Sequence, residues 1–373
     1  MKSSVKVGDI LGIPVEIHYS WIVVFFLVTW SLGTDLHNRF PSQLLMANWI
    51  ASVICAFSLL LSILVHELSH SYFAKKFGLP IKKITMYLFG GVAHMEREPE
   101  TAKSELIIAI AGPAFSFIVA LFSFNLFYFL LFFGANPLVI AIAEYLFVIN
   151  LSLAIFNLLP GFPLDGGRIL RAILWQFMND LKGATKISTM LGKAFSLVFI
   201  FIGLFYIFKG MWLNGIWLLV IGIFLHEAAD ASFQQLMLKK ALRGIPVRDI
   251  METNVVTVPP DIFLNTLISD YFLKHKHLGF PVVENGFLKG IVTLSNVKEI
   301  PNDLWETTNV AKAMTAARED LIIDPNKDAM EALLQVTKSG LGRILVVEHG
   351  KLLGLVVQRD LLHIFEIKSS LCT

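Results

Sequence analysis

The chain has 373 residues with a formal net charge of +2; 55% are hydrophobic, 31 are Phe and only 16% are charged. An ordinary soluble domain carries about 25% charged residues, so a single water-soluble globule and a disordered chain are both excluded, and a net charge this small offers no basic field for nucleic acid. The two Cys, Cys55 and Cys372, are too few and too far apart for a disulfide framework or a Cys-based zinc site.

Residues 1 to about 230 hold nearly all the long apolar runs. A bilayer core needs about 20 apolar residues per helix. Six spans are predicted, at Trp21–Gly33, Trp49–Phe73, Leu106–Phe133, Leu138–Leu159, Ser188–Phe208 and Trp212–His226. The first is short and can begin as early as Val15; with no small-residue cleavage site after it, it reads as a retained span. Lys and Arg gather on one side. Lys2 and Lys6 precede span one; Lys75, Lys76, Lys82, Lys83, Arg97 and Lys103 follow span two; Arg168, Arg171, Lys182 and Lys186 follow span four. Only Arg39 and Lys209 fall opposite, so both termini are expected in the cytoplasm.

From about residue 240 the composition is that of a soluble domain, reached through a connector running from Leu238-Lys239-Lys240 to Gly244-Ile245-Pro246. An internal repeat follows. Val247–Met251 recurs as Val310–Met314, Pro281–Gly286 as Leu345–Gly350, and Gly290-Ile291-Val292 as Gly354-Leu355-Val356. Asn285-Gly286 and His349-Gly350, each between β-branched runs, predict hairpin turns. The duplicated pattern over about 245–366 resembles a tandem pair of CBS domains.

The chemistry lies in span two, where His66-Glu67-Leu68-Ser69-His70 follows an apolar run. Positions i and i+4 share a helix face, so both imidazoles can bind one zinc ion while Glu67 serves as general base for a water molecule. Chance matches in a chain with 10 His number on the order of 0.01, and three ionisable groups on a membrane helix are costly unless functional. A catalytic zinc needs a third protein ligand. Asp165 is the candidate, within Asn157-Leu158-Leu159-Pro160-Gly161-Phe162-Pro163-Leu164-Asp165-Gly166-Gly167-Arg168. By itself such an Asp is more often a cap or turn residue; with the His pair the balance reverses. Two Pro and three Gly predict non-helical backbone here at membrane depth, tolerated where protein or water covers it.

His66–His70 with the downstream Asn157…Pro160…Leu164-Asp165-Gly166-Gly167 resembles the site-2 proteases, intramembrane zinc metalloproteases. Gly12-Ile13-Pro14-Val15, Gly90-Gly91 and Gly112-Pro113 with Ser116 add to the match, which covers most of residues 8–230; the CBS pair points to the subgroup carrying that module on a cytoplasmic C terminus. The resemblance implies one zinc per chain on His66, His70 and Asp165, Glu67 as general base, and Asn157 as a substrate or oxyanion contact or, equally, a partner for the broken helix end. It implies a transmembrane protein as substrate, cleaved in or near its membrane segment, and a prokaryotic plasma membrane as the location. Because a helical substrate must unwind to be cut, the stretch Ile84–Met95 with Gly90 and Gly91 is a candidate hairpin to pair with an extended substrate.

CBS pairs often bind adenine nucleotides through a Thr/Ser-x-x-Asp pattern and often associate as dimers. Each repeat here keeps half of that pattern. Thr293 is followed by Asn296 where an Asp is expected, and Asp360 is preceded by Val357 where a hydroxyl is expected. Nucleotide sensing and a structural or dimerising role therefore stand level.

The fold class is thus a polytopic α-helical membrane domain of about six helices followed by an α/β CBS pair. The boundaries are 1–235 for the protease domain, 236–246 for the linker, and 247–308 and 309–368 for the two CBS domains. The alternative, a CBS-regulated metal or ion transporter, leaves Glu67 unused and lacks a visible repeat of broken helices. An inactive membrane scaffold leaves the whole ligand set unused. His226-Glu227-Ala228-Ala229-Asp230 mimics the metal motif but reads as a polar interfacial helix end; His18, His37 and His94 read as structural or interfacial, Glu144 as a partner for a neighbouring helix, and Lys193 as an interfacial side chain.

Overall fold

The computed structural model describes residues 4–87, 90–95 and 97–371, so Cys372 falls outside the described residues. The chain separates into two compact units, Met1–Gln234 and Gln235–Thr373.

In the first unit β1 (Ser4–Ile10) and β2 (Ile13–His18) form a hairpin. Its two turn residues, Leu11 and Gly12, both have positive φ, as a two-residue hairpin of right-handed twist requires. Strands β3 (Ile81–Tyr87) and β4 (Gly90–Met95) complete a sheet of order β1-β2-β3-β4, with β2 and β3 parallel and the outer pairs antiparallel. Leu88 and Phe89, within the expected hairpin, fall outside the described residues. Ile13, Ile84 and Met86 turn one face of the sheet onto Trp21, Leu60, Ile63 and Leu64. On the other face Glu16 accepts hydrogen bonds from Lys83 and Ser4, which hold its carboxyl below the usual carboxylate range, while burial and Lys83 hold the His94 imidazole below its ordinary value.

Among the described residues seven helices follow: α1 (Ser20–Arg39), α2 (Leu45–Lys76), α3 (Ala102–Phe132), α4 (Pro137–Asn157), α5 (Asp165–Met178), α6 (Leu181–Phe208) and α7 (Trp212–Leu242). All but α5 are long and apolar enough to cross a membrane. Each contains one of the six predicted spans or most of it, and several overrun their apolar core, because backbone hydrogen bonding continues the helix into the polar flanks. Val15, offered as a start for span one, lies instead in β2, and α1 begins at Ser20. Thr101 and Ser104 cap the start of α3 reciprocally. Glu144 finds its partner in Arg39 at the end of α1, 3.0 Å away. Of the predicted connector, residues as far as Leu242 are helical: Leu, Lys and Ala are strong helix formers, and the positive φ of Gly244 comes only after them.

In the second unit β5 (Gly279–Glu284), β6 (Phe287–Thr293), β7 (Thr315–Ala316), β8 (Ile322–Ile323), β9 (Arg343–Glu348) and β10 (Lys351–Val357) form one sheet of order β5-β6-β10-β9-β8, with β7 on β6. Asn285-Gly286 and His349-Gly350 take positive φ and close the β5-β6 and β9-β10 hairpins. Two cores fill the repeats, one around Phe280, Val282 and Val292, the other around Ile344, Val346 and Val356.

Candidate metal centre

On α2, His66 and His70 stand one turn apart with ring centroids 4.8 Å apart, both nearly fully buried. Each ring is oriented from α3. The Nδ1 of His66 lies 2.9 Å from Ser116 Oγ, and the Nδ1 of His70 donates to the carbonyl of Ile108 at 2.7 Å. These bonds occupy both Nδ1 atoms and leave both Nε2 atoms facing inward. Ile108, Gly112 and Ser116 recur every four residues, so one face of α3 serves the pair. Gly112 lies between the two hydrogen-bonding positions. A Cβ there would fall 2.2 Å from His70 Nε2 and 2.7 Å from His66 Nε2, so the rings occupy the space a side chain would need.

Asp165 comes from the start of α5, 95 residues beyond His70 in the chain. Non-helical backbone was expected through Arg168; it stops at Leu164, and Asp165 opens α5. The difference has a steric cause. Gly166 and Gly167 are packed against the loop that precedes them, where added Cβ atoms would sit 2.3 Å from the Leu158 carbonyl oxygen and 2.3 Å from the Gly161 carbonyl carbon. The glycines thus let a helix start directly beneath a folded-back loop. Gly161 in turn abuts Gly192 of α6, and Phe162 donates its N–H to the Ser188 carbonyl at 3.1 Å. Arg171, one turn beyond Arg168, is tied to buried Glu105 of α3 and stacks 4.9 Å above Phe162.

The result is a triangle. Asp165 Oδ2 lies 3.0 Å from each Nε2, and the two Nε2 atoms are 3.2 Å apart. Donors held 2.0–2.1 Å from one tetrahedral ion are about 3.3 Å apart, so this donor set fits zinc with little movement. Among the described residues it is the one group of three or more His, Cys, Asp or Glu that could hold a metal ion.

The triangle opens into a cavity of about 930 Å³. Glu67, Asn157, Gly90 and Gly91 also line it, together with apolar residues of α1, α4 and α7 such as Trp21, Phe156 and Trp217. Gly91 of β4 leans on Glu67, whose Cγ would lie 2.4 Å from a Cβ at that position. Asn157 donates its amide to the Leu153 carbonyl at 3.0 Å, which satisfies the end of α4 while the residue still borders the cavity. Sequence reasoning named Gly112 and Ser116 only as matches. It assigned no role to Glu105, to Arg168 or to the Ile108 carbonyl; the four-residue spacing on α3 was the available sign for the last.

The remaining polar groups fall elsewhere. His226 and Asp230 meet α6, His226 at 3.0 Å from Ser196 Oγ and Asp230 in an ion pair with Lys193. His18 accepts from the Ser20 N–H at 3.1 Å. In the second unit the Thr293 hydroxyl is engaged in a reciprocal cap with Asn296, at 2.7 Å from its Oδ1. The Asp360 carboxylate is 44% exposed. A cleft of about 170 Å³ lies among Thr253, Thr257, Gly286 and Gly354, and neither Thr293 nor Asp360 borders it.

With this geometry in hand, comparison with known proteins is informative. Peptidase family M50 matches residues 54–136 and 134–200, and the CBS domain matches 235–302 and 310–367. The zinc metalloprotease of Methanocaldococcus jannaschii is 33% identical over 382 aligned positions, spanning all of this chain and 99% of that one. Stage IV sporulation protein FB of Bacillus subtilis is 34% identical over 133 residues, 34% of this chain and 41% of that one. A solved site-2 protease from Methanocaldococcus jannaschii shares 34% identity, covers 61% of this chain and 94% of its own, and superposes with a TM-score of 0.44.

Proposed function

The chain belongs to peptidase family M50, the site-2 proteases, and we propose that it hydrolyses a peptide bond in or near a transmembrane segment of a membrane protein, as a step of regulated intramembrane proteolysis. As a zinc metalloprotease with six membrane-capable helices and a CBS pair, it has the architecture this reaction needs. The observation that carries the reading is the buried triangle of His66, His70 and Asp165 beside Glu67 at the wall of a large cavity.

His66, His70 and Asp165 would hold one zinc ion. Bound there, zinc supplies a Lewis acid that polarises the scissile carbonyl and lowers the pKa of water. Glu67 takes the proton of the attacking water and returns it to the leaving nitrogen. The Ile108 carbonyl keeps His70 in the tautomer with Nε2 free, and Ser116 holds the orientation of the His66 ring through Nδ1. Asn157, on the cavity wall, is the candidate for steadying the substrate backbone. β4 is an edge of its sheet among the described residues, so an extended substrate can add to it, with Gly91 letting that strand approach Glu67. His70 precedes Lys76 at the end of α2 by six residues, about 9 Å along the axis, which sets the site just inside the basic face. That face supports cytoplasmic termini and a plasma-membrane location, with product released inward. The CBS pair is assigned a regulatory or dimerising role. An adenine nucleotide has weak support there, since Thr293 is engaged as a cap and the cleft is small.

Zinc per chain and cleavage of a reporter transmembrane segment test the reading together. Wild type should hold about one zinc. His66→Ala and Asp165→Ala should lose it, and Glu67→Gln should keep it while cleavage stops. Ion flux surviving Glu67→Gln, with no cleavage by wild type, would favour the transporter instead. Unchanged cleavage in Gly90→Ala and Gly91→Ala would end the strand-pairing idea.

A further inference from the structure

The cavity wall carries one cation that the mechanism above does not use. Arg168 lies on the first turn of α5, three residues after Asp165, and lines the same cavity as His66, Glu67 and Asn157. It is close enough to Glu67 for the two charges to act on one another. Among the described residues its guanidinium makes no hydrogen bond or short ion pair, whereas Arg171, one turn on, is fully engaged by Glu105 and Phe162. A half-buried guanidinium at the wall of a mostly apolar cavity, faced by the charge of Glu67 but with no hydrogen bond made, has its donors open to a ligand.

Charge identifies the ligand. Arg168 brings a positive charge to the wall that also carries His66, Glu67 and Asp165. Hydrolysis supplies its complement. Water oxygen bonds to the carbonyl carbon, Glu67 passes one water proton to the nitrogen as the C–N bond breaks, and the second water proton ends on the freed amine, so the two fragments leave as a carboxylate and an ammonium. A guanidinium takes a carboxylate through two parallel N–H···O bonds, a fit that a neutral amide lacks.

We propose that Arg168 is the subsite for the new C-terminal carboxylate of the N-terminal product fragment. The proposal rests on the protease reading. It makes the enzyme prone to inhibition by that fragment, and it makes release of the fragment a step that Arg168 slows.

The test uses the full zinc-loaded chain in detergent, with Glu67→Gln to stop turnover. Two fluorescent apolar peptides, identical except for a free carboxylate or a carboxamide at the C terminus, are titrated by anisotropy, and zinc is measured on each sample. The acid should bind at least tenfold more tightly than the amide. Adding Arg168→Gln should bring the two within twofold at unchanged zinc content, and Arg168→Lys, which keeps charge but loses the fork, should fall between them. Equal binding in the chain that retains Arg168, or a preference that survives Arg168→Gln, overturns the subsite. Either result with zinc present and the amide peptide bound leaves the protease reading standing. Absence of both zinc and peptide binding removes that reading and the subsite with it.

Discussion

At the scale of single residues, the centre depends on α3 as much as on the helix that bears the histidines. Gly112→Ala would place a methyl group 2.2 Å from His70 Nε2, and the ring cannot yield without leaving the triangle or losing the Ile108 carbonyl. Zinc content measured after dialysis against a weak chelator should fall well below that of wild type. Ser116→Ala removes only the partner of His66 Nδ1. The ring can then rotate or change tautomer, so metal affinity should drop about 10–100-fold while the fold is kept. Zinc titration by competition checks this, and equal affinity in wild type and Ser116→Ala would show that packing alone orients His66. The His66–His70 pair and Asp165 were legible because metal chemistry restricts residue type and spacing. Arg168 was legible only as a basic residue for topology, since nothing in the sequence distinguishes an engaged arginine from a free one.

At the scale of elements, α5 is held to α3 by the buried pair of Glu105 and Arg171, at 1% and 9% exposure. Removing one partner strands the other, at a cost of about 3–5 kcal/mol; replacing both with apolar residues of similar size is often neutral. Arg171→Met should therefore lower the thermal midpoint in detergent strongly, and Glu105→Leu added to it should recover most of the loss. A double variant no better than the single one would mean that the pair does more than neutralise itself. The sheet makes a second prediction, on pH. His94 has its imidazole held below its ordinary value by burial and by Lys83, so unfolding takes up a proton that the folded chain refuses. Stability is then lost as pH falls from about 6.5 towards the lowered value, and below that the loss levels off. Glu16, also lowered, adds a loss at more acid pH as its carboxylate is protonated. Thermal midpoints of wild type and His94→Gln should converge as pH falls through the first window; parallel curves would exclude His94. The six membrane helices were readable because a run of about 20 apolar residues has few other stable forms in lipid. The β1-β2 hairpin and α5 were not. Strand pairing is a long-range choice, and Gly166-Gly167 at the start of a helix has the appearance of a loop until the backbone packed against it is seen.

At the scale of the molecule, the chain joins a membrane unit that holds, among the described residues, one cluster able to take a metal ion to a unit of two repeats with two cores, Val247 packing in the core around Ile344 and Val310 in the core around Phe280. The repeat was visible in sequence because hairpin turns and strand runs recur at a fixed offset, whereas the state of its polar positions was not. Thr293 is used to cap the helix Leu294–Lys298 together with Asn296, the residue that stands where an Asp was expected. Asp360 is exposed but has Val357 before it, and a cleft of this unit, about 170 Å³, is smaller than the roughly 300 Å³ at which small-molecule sites begin. Neither half-pattern borders that cleft. The expected result is that 1 mM AMP or ATP leaves the melting of the full-length chain unchanged. The measurement is sensitive enough to decide: a nucleotide present at 100 times its Kd would stabilise the unit that binds it by about 2.7 kcal/mol, a shift of many degrees for a domain of this size. Such a shift, if seen and then abolished by Asp360→Ala, would make the second repeat a nucleotide sensor and assign regulation to it. No shift leaves the structural or dimerising role, in which exposed side chains such as Leu273, Leu278 and Leu334 would be covered by a second copy. Light scattering on the same sample should then show the mass of a dimer.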